Sequence, residues 1–169
     1  MKNLISSTLR ESIELIVQTE LPEGFLVDIL LSRGPQSLLE ILVDTEQGVC
    51  LEDCVRISRA LNPILEQDLT LDFPYNLIVS SPGLDRPLSH ERQFKRYTDK
   101  LVEVKYIDGN KNTGILRKMT PESYYISLTP PKSNKKNINP IDTVIPKEQV
   151  SGIYPGISFK ENYDRKTND

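Results

Sequence analysis

The sequence is poor in the side chains that carry covalent or metal chemistry. Its 169 residues hold two cysteines and one histidine. Cys50 and Cys54 share a face if their stretch is helical, and there they can form a disulfide or supply two metal ligands. A four-ligand zinc site would need carboxylates, because His90 is far off in sequence. Thiols on an apolar face are more commonly just buried. The Walker phosphate loop, the G-x-G-x-x-G turn and the G-x-S-x-G nucleophile elbow are all missing. No apolar run approaches the roughly 20 residues that cross a bilayer. The N-terminus turns polar and charged at Arg10 and Glu11, unlike a secretory leader. These absences lead to the expectation of a cytoplasmic protein that uses no cofactor and no metal and binds no membrane.

What is present is a folded-protein composition, 37% hydrophobic and 27% charged. The net charge of −3 conceals a division. Residues 1–90 carry six Lys and Arg against fourteen Asp and Glu, whereas residues 91–169 carry fifteen against ten. Opposite signs on the two halves predict two domains with differently charged partners.

Leu4, Ile5, Thr8, Leu9, Ile13, Ile16 and Val17 recur at three- and four-residue steps and predict an amphipathic helix, closed by Pro22 and Gly24. Apolar runs at 25–31 and 38–44 predict two strands joined through a turn-rich stretch at 32–36. Leu51, Cys54, Val55, Ser58, Leu61 and Leu65 predict a second helix buried along that face. Pro63 predicts a kink or break near residues 60–62. A third strand is expected over 75–80. This order fits an α+β domain with two helices on one face of a three-stranded sheet. Beyond Pro87 come a short helical stretch at 90–97 and five strand-like runs, at 101–107, 114–119, 124–128, 143–145 and 150–154. They predict a small all-β SH3-like or Sm-like barrel. The polar, basic link at 129–142 is expected to be a loop. The expected limits are 1–87 and 88–159, with a disordered tail over 160–169.

Alternation gives the three-stranded sheet an unusual second face. If Val27, Ile29, Leu31, Leu39, Ile41, Val43, Leu77 and Val79 turn to the helices, the far face carries Leu26, Leu30, Leu38, Leu42 and Ile78. Only Asp28, Glu40 and Asn76 interrupt it. A face that apolar is rarely left to water, so it is expected to cover a partner or the second domain. In the basic half, Lys95, Arg96, Lys105, Arg117, Lys118, Lys132, Lys135 and Lys136 are the candidates for meeting a phosphate backbone. For each alone, a solvated surface cation is the commoner reading. Tyr97, Tyr106, Tyr124 and Tyr125 can stack bases, although tyrosines in small barrels more often pack the core.

The halves meet at Ser80-Ser81-Pro82-Gly83-Leu84-Asp85-Arg86-Pro87-Leu88. Pro82-Gly83 fits the centre of a type II turn, since proline fixes its own φ and glycine takes a positive one without steric cost. Pro87 restricts Arg86 to extended conformations. Ser80, Ser81, Pro82, Gly83, Leu84, Asp85, Arg86 and Pro87 thus predict a stiff inter-domain elbow that sets an angle or offers a preorganised binding edge.

The nonamer matches the hallmark of the RimP family at every place, and the sequence resembles that family elsewhere too. Gly48-Val49-Cys50-Leu51-Glu52-Asp53-Cys54 looks like the approach to its second helix, and Tyr75-Asn76-Leu77-Ile78-Val79 like its third strand. The resemblance is strong over residues 1–90 and one of pattern over 143–156. It implies a KH-like or ferredoxin-like first domain, an Sm-like second one, and a role in maturing the small ribosomal subunit; the expected state is a monomer. Its partners would be a ribosomal protein, ribosomal RNA or both. Three positions depart from the family pattern: Cys50 where many relatives have threonine, Ile78 where many have glutamate, and Pro63 inside a helix usually unbroken.

Two other functions compete. Ser80 or Ser81, Asp85 and His90 supply the residue types of a hydrolytic triad, but nearness in sequence fixes no geometry. A general RNA-binding module is the second. No G-x-x-G loop of the KH type occurs, and the acidic first half opposes a phosphate backbone.

Overall fold

The computed structural model describes residues 5–68, 71–130 and 139–157. It divides the chain into two compact units, Met1–Gly83 and Leu84–Asp169, so the division falls inside the nonamer.

The first unit is α+β. Helix α1 (Ser7–Glu20) starts at Ser6, whose Oγ accepts from the Leu9 N–H at 3.1 Å. Leu9, Ile13 and Val17, spaced one turn apart, form its buried stripe. Strands β1 (Gly24–Ser32) and β2 (Leu38–Thr45) pair antiparallel. Helix α2 (Leu51–Gln67) then crosses over to β3 (Asn76–Ser80), which pairs with β2 in parallel. The sheet order is β1-β2-β3. Leu39, Ile41 and Val43 of β2 join the helix stripes in one core, and burying each such side chain contributes about 1.5–3 kcal/mol.

Two expectations need correction. The first concerns Leu26. A β-bulge between Leu26 and Asp28 inserts one residue into β1 and reverses the alternation on its N-terminal side. Leu26 therefore packs in the helix-side core, while Val27 joins Phe25 and Leu42 in a separate buried cluster on the other face. Leu30 packs against that cluster, Leu38 is half-buried and Ile78 is 45% exposed. The second concerns α2, whose buried stripe is Ile57, Leu61 and Leu65. At about 100° per residue, Leu51 and Val55 lie about 80° and about 120° from the centre of that stripe, and they are exposed. Pro63 does not end the helix, which runs on to Gln67. Pro63 and Arg59, whose carbonyl loses its bond to the missing N–H, both sit on the exposed side.

The second unit opens with α3 (Glu91–Tyr97) and continues as five antiparallel strands: β4 (Leu101–Tyr106), β5 (Lys111–Met119), β6 (Ser123–Leu128), β7 (Ile141–Pro146) and β8 (Val150–Pro155). A 3₁₀ turn, Lys147–Gln149, joins the last two. Their order is β7-β6-β5-β4-β8. Val102, Val104, Leu116, Ile126, Ile145 and Ile153 form the core with Leu88 and Phe94. The Phe94 ring stacks on Tyr124 at 5.7 Å between centroids. At Gly114, a Cβ would lie 2.6 Å from the Ser127 carbonyl oxygen, so β5 and β6 approach too closely for any side chain. Ile141 and Asp142, expected in a loop, belong to β7. Among the described residues no helix is long and apolar enough to cross a membrane.

Candidate functional site

Ser80 closes β3 opposite Leu42 of β2, Ser81 is exposed and Pro82 is buried. Gly83 has φ +68, the left-handed value that the second central position of a type II turn requires, with open space where a Cβ would stand. Conformation, not crowding, demands glycine there. Leu84 and Asp85 are exposed and Arg86 is half-buried. The chain is then fastened to the second unit. Leu88 is buried and donates its N–H to the Ile153 carbonyl at 2.7 Å, and Pro87 lies beside Gly152.

His90 has a structural task. Its Nδ1 accepts from the Arg92 N–H at 3.2 Å, while Gln93 Oε1 accepts from the N–H groups of Ser89 at 3.0 Å and His90 at 3.1 Å. Together they cap α3. An imidazole that uses Nδ1 as a cap acceptor cannot also present that nitrogen to an orienting carboxylate, which a triad histidine must do.

The start of α2 shows how the sequence makes do with a thiol at its cap. Asp53, at the third helical position, accepts from the Cys50 N–H at 3.3 Å and from the Cys50 thiol at 3.0 Å. Arg56 holds the other carboxylate oxygen at 2.8 Å. The hydrogen bonds from Cys50 and then Arg56 keep the Asp53 carboxyl below its ordinary pKa. The same contact raises the Cys50 pKa, because the carboxylate favours a protonated thiol. Cys54 is raised by burial. Both cysteines are free, Cys50 exposed and Cys54 half-buried.

The predicted cations of the second unit meet different fates. Lys95 is exposed on α3. Arg96 lies 5.7 Å from the Tyr97 ring centroid. Lys105 sits over the Tyr154 ring at 3.7 Å and near Glu103 at 3.8 Å. Arg117 is tied at 2.7 Å to Asp99 and at 3.0 Å to Ser127 Oγ, which donates onward to Asp142. Lys118 is exposed, 6.0 Å from the ring of Tyr125. Lys132, Lys135 and Lys136 lie outside the described residues. Of the four tyrosines weighed for base stacking, Tyr97, Tyr106 and Tyr124 pack against the core, and Tyr125 is 38% exposed. Lys147, 5.4 Å from the Tyr124 ring centroid, was missed by reading the sequence, which gives no sign that the two meet.

Comparison with known proteins places this arrangement. A family model described as the RimP N-terminal domain matches residues 17–85. The ribosome maturation factor RimP of Prosthecochloris aestuarii (strain DSM 271 / SK 413) is 41% identical over 91 residues, which are 51% of this chain and 51% of that protein. That of Cytophaga hutchinsonii (strain ATCC 33406) is 36% identical over 140 residues, 81% of this chain and 78% of the relative. The matched region thus spans about half the length of the first relative and over three quarters of the second. The second match is longer than either unit of the fold, and the chain belongs to the RimP family.

Proposed function

We propose that the protein is a cytoplasmic ribosome maturation factor that binds the immature small ribosomal subunit as a monomer and assists its assembly without covalent chemistry. The observation that carries this reading is the match to the Cytophaga ribosome maturation factor across most of both chains. The nonamer at 80–88 adds to it.

The charge division supplies the mode of action. The acidic domain, taken as 1–87, docks on a basic ribosomal protein through the apolar face of its sheet, at Leu30, Leu38 and Ile78. The basic domain, 88–159, faces ribosomal RNA or a second ribosomal protein, with Lys95 and Lys118 as the least committed of its described cations. Ser80 to Pro87 link the two as an elbow. We read the first domain as KH-like and the second as an SH3-like or Sm-like barrel. Support for the barrel comes from its edges. β7 and β8 stand on opposite sides of a five-stranded sheet, about 19 Å apart if it were flat, yet only Lys147–Gln149 separate them in the chain. Three residues of 3₁₀ helix advance about 6 Å, so the sheet has to curl.

Binding of the full chain to immature small subunits, followed by sedimentation across a salt series, tests the electrostatic part. Exposed charge pairs are screened by salt, so bound protein should fall steadily as salt rises. Binding indifferent to salt would contradict this mode of action. A general RNA-binding role is separated by the same assay, since it predicts equal capture by free RNA of matched length.

A further inference from the structure

The first sheet ends in an unguarded edge. Among the described residues β3 pairs only with β2. Asn76 donates its N–H to the Ser37 carbonyl at 2.9 Å. By the alternation of a parallel ladder, Ile78 and Ser80 also turn their backbone groups toward β2. The N–H and C=O groups of Leu77 and Val79 therefore point out of the free edge, and no other strand among the described residues takes them. Edge strands are usually protected by charge, proline or a bulge. Asn76-Leu77-Ile78-Val79-Ser80 carries none of these.

Helix α2 overlooks that edge. Leu51, Val55 and Arg59 succeed one another at four-residue steps along one stripe. Leu51 is 75% exposed and Val55 39%, too much for core positions. With Cys54, Leu77 and Val79 they line a shallow cavity of about 390 Å³. Arg59 makes no ion pair or hydrogen bond among the described residues, whereas Arg56, one turn earlier, is held by Asp53 and Glu20.

We propose that this edge accepts an extended segment of a partner protein, which extends the sheet by one strand. The segment's backbone pairs with Leu77 and Val79, and alternate apolar side chains lie against Leu51 and Val55. One carboxylate meets the Arg59 guanidinium. Main-chain pairing supplies affinity and the alternate side chains supply selectivity. A second copy of this chain fits less well, because its own β3 brings no carboxylate to Arg59. A nucleic acid fits poorly too, since the groove offers aliphatic side chains and no aromatic platform. The proposal concerns how a partner polypeptide is gripped and does not depend on that partner being ribosomal.

The test uses the isotope-labelled full chain and short synthetic peptides that alternate valine with threonine. A glutamate is placed at each position in turn, with lysine and central-proline versions as controls. Glutamate peptides should shift the amides of Leu77 and Val79 and slow their hydrogen exchange. They should bind about fivefold more tightly than the lysine versions, and Arg59→Glu should reverse that order. Val55→Glu, on an exposed position that spares the core, should weaken binding about tenfold. Unchanged Leu77 and Val79 amides at millimolar peptide would overturn the proposal, as would equal binding of the proline versions. Protection of those amides that grows with protein concentration alone would assign the edge to a second copy instead, and also overturns it.

Discussion

The two units enclose their cores by different means. In the first, the helix stripes of Leu9, Ile13 and Val17 and of Ile57, Leu61 and Leu65 cover one face of a three-stranded sheet. In the second, five antiparallel strands supply nearly the whole core, and α3 adds chiefly Phe94. The difference shows in what each leaves outside. A sheet layered on one face leaves Ile78 exposed on the other, and Leu51 and Val55 of α2 stay exposed beside its edge. The strand-built unit also leaves Ile107, Ile141 and Val144 exposed, and it adds surface cations, Lys118 near Tyr125 and Arg117 tied to Asp99. Both units thus expose apolar side chains, and the basic unit adds cations next to a ring.

Core truncation gives the largest expected effect. Leu61→Ala should destabilise the first unit by about 3 kcal/mol, and Leu116→Ala the second by a similar amount. Amide exchange at Val43 and at Val104 reads the two separately. If Leu61→Ala released Val104 as much as Val43, the division into two units would be lost.

The glycines come next and sharpen the contrast. Gly114→Ala forces a Cβ into the β5–β6 ladder and should cost about 2 kcal/mol of the second unit's stability. Gly83→Val meets no atoms but a positive φ, and should cost about 1 kcal/mol of strain. It should leave both units folded while slowing small-subunit maturation. Normal maturation in that variant would reduce the nonamer to a family signature without mechanical meaning.

The smallest effects belong to the α2 cap. Asp53→Asn removes the carboxylate that keeps the Cys50 thiol protonated, so alkylation of Cys50 near neutral pH should speed up severalfold. The Asp53 carboxyl titrates below its unfolded range, so its contribution to stability is complete at neutral pH. That contribution disappears as acid carries the pH down through the lowered folded value, and Asp53→Asn should flatten the acid limb of the stability curve. Cys50→Thr should raise the melting temperature slightly, because a hydroxyl caps better than a thiol. A lower melting temperature would show that the thiol–Asp53 contact is the better cap.

The order of elements was legible because periods of 3.6 and 2 are carried by local side chains such as Ile13 and Val17 or Leu39 and Ile41. The bulge at Leu26–Asp28 was not, because one inserted residue changes alternation without changing composition. Leu51 and Val55 were misplaced for a related reason: near a helix start, apolar spacing alone does not say which stripe meets the sheet. The nonamer and the cations were legible as residues. The groove beside β3 was not, since it exists only once strand order makes β3 an edge. Arg117 read as a free cation until the fold brought Asp99 to it.

The central claim is that this chain attends the assembly of the small ribosomal subunit and does not merely bind RNA. The full chain should be sedimented with immature small subunits, mature small subunits and free RNA, in competition at one salt concentration. The account predicts capture by the immature particle in clear preference to both others. Equal capture by all three, or preference for free RNA, would contradict it.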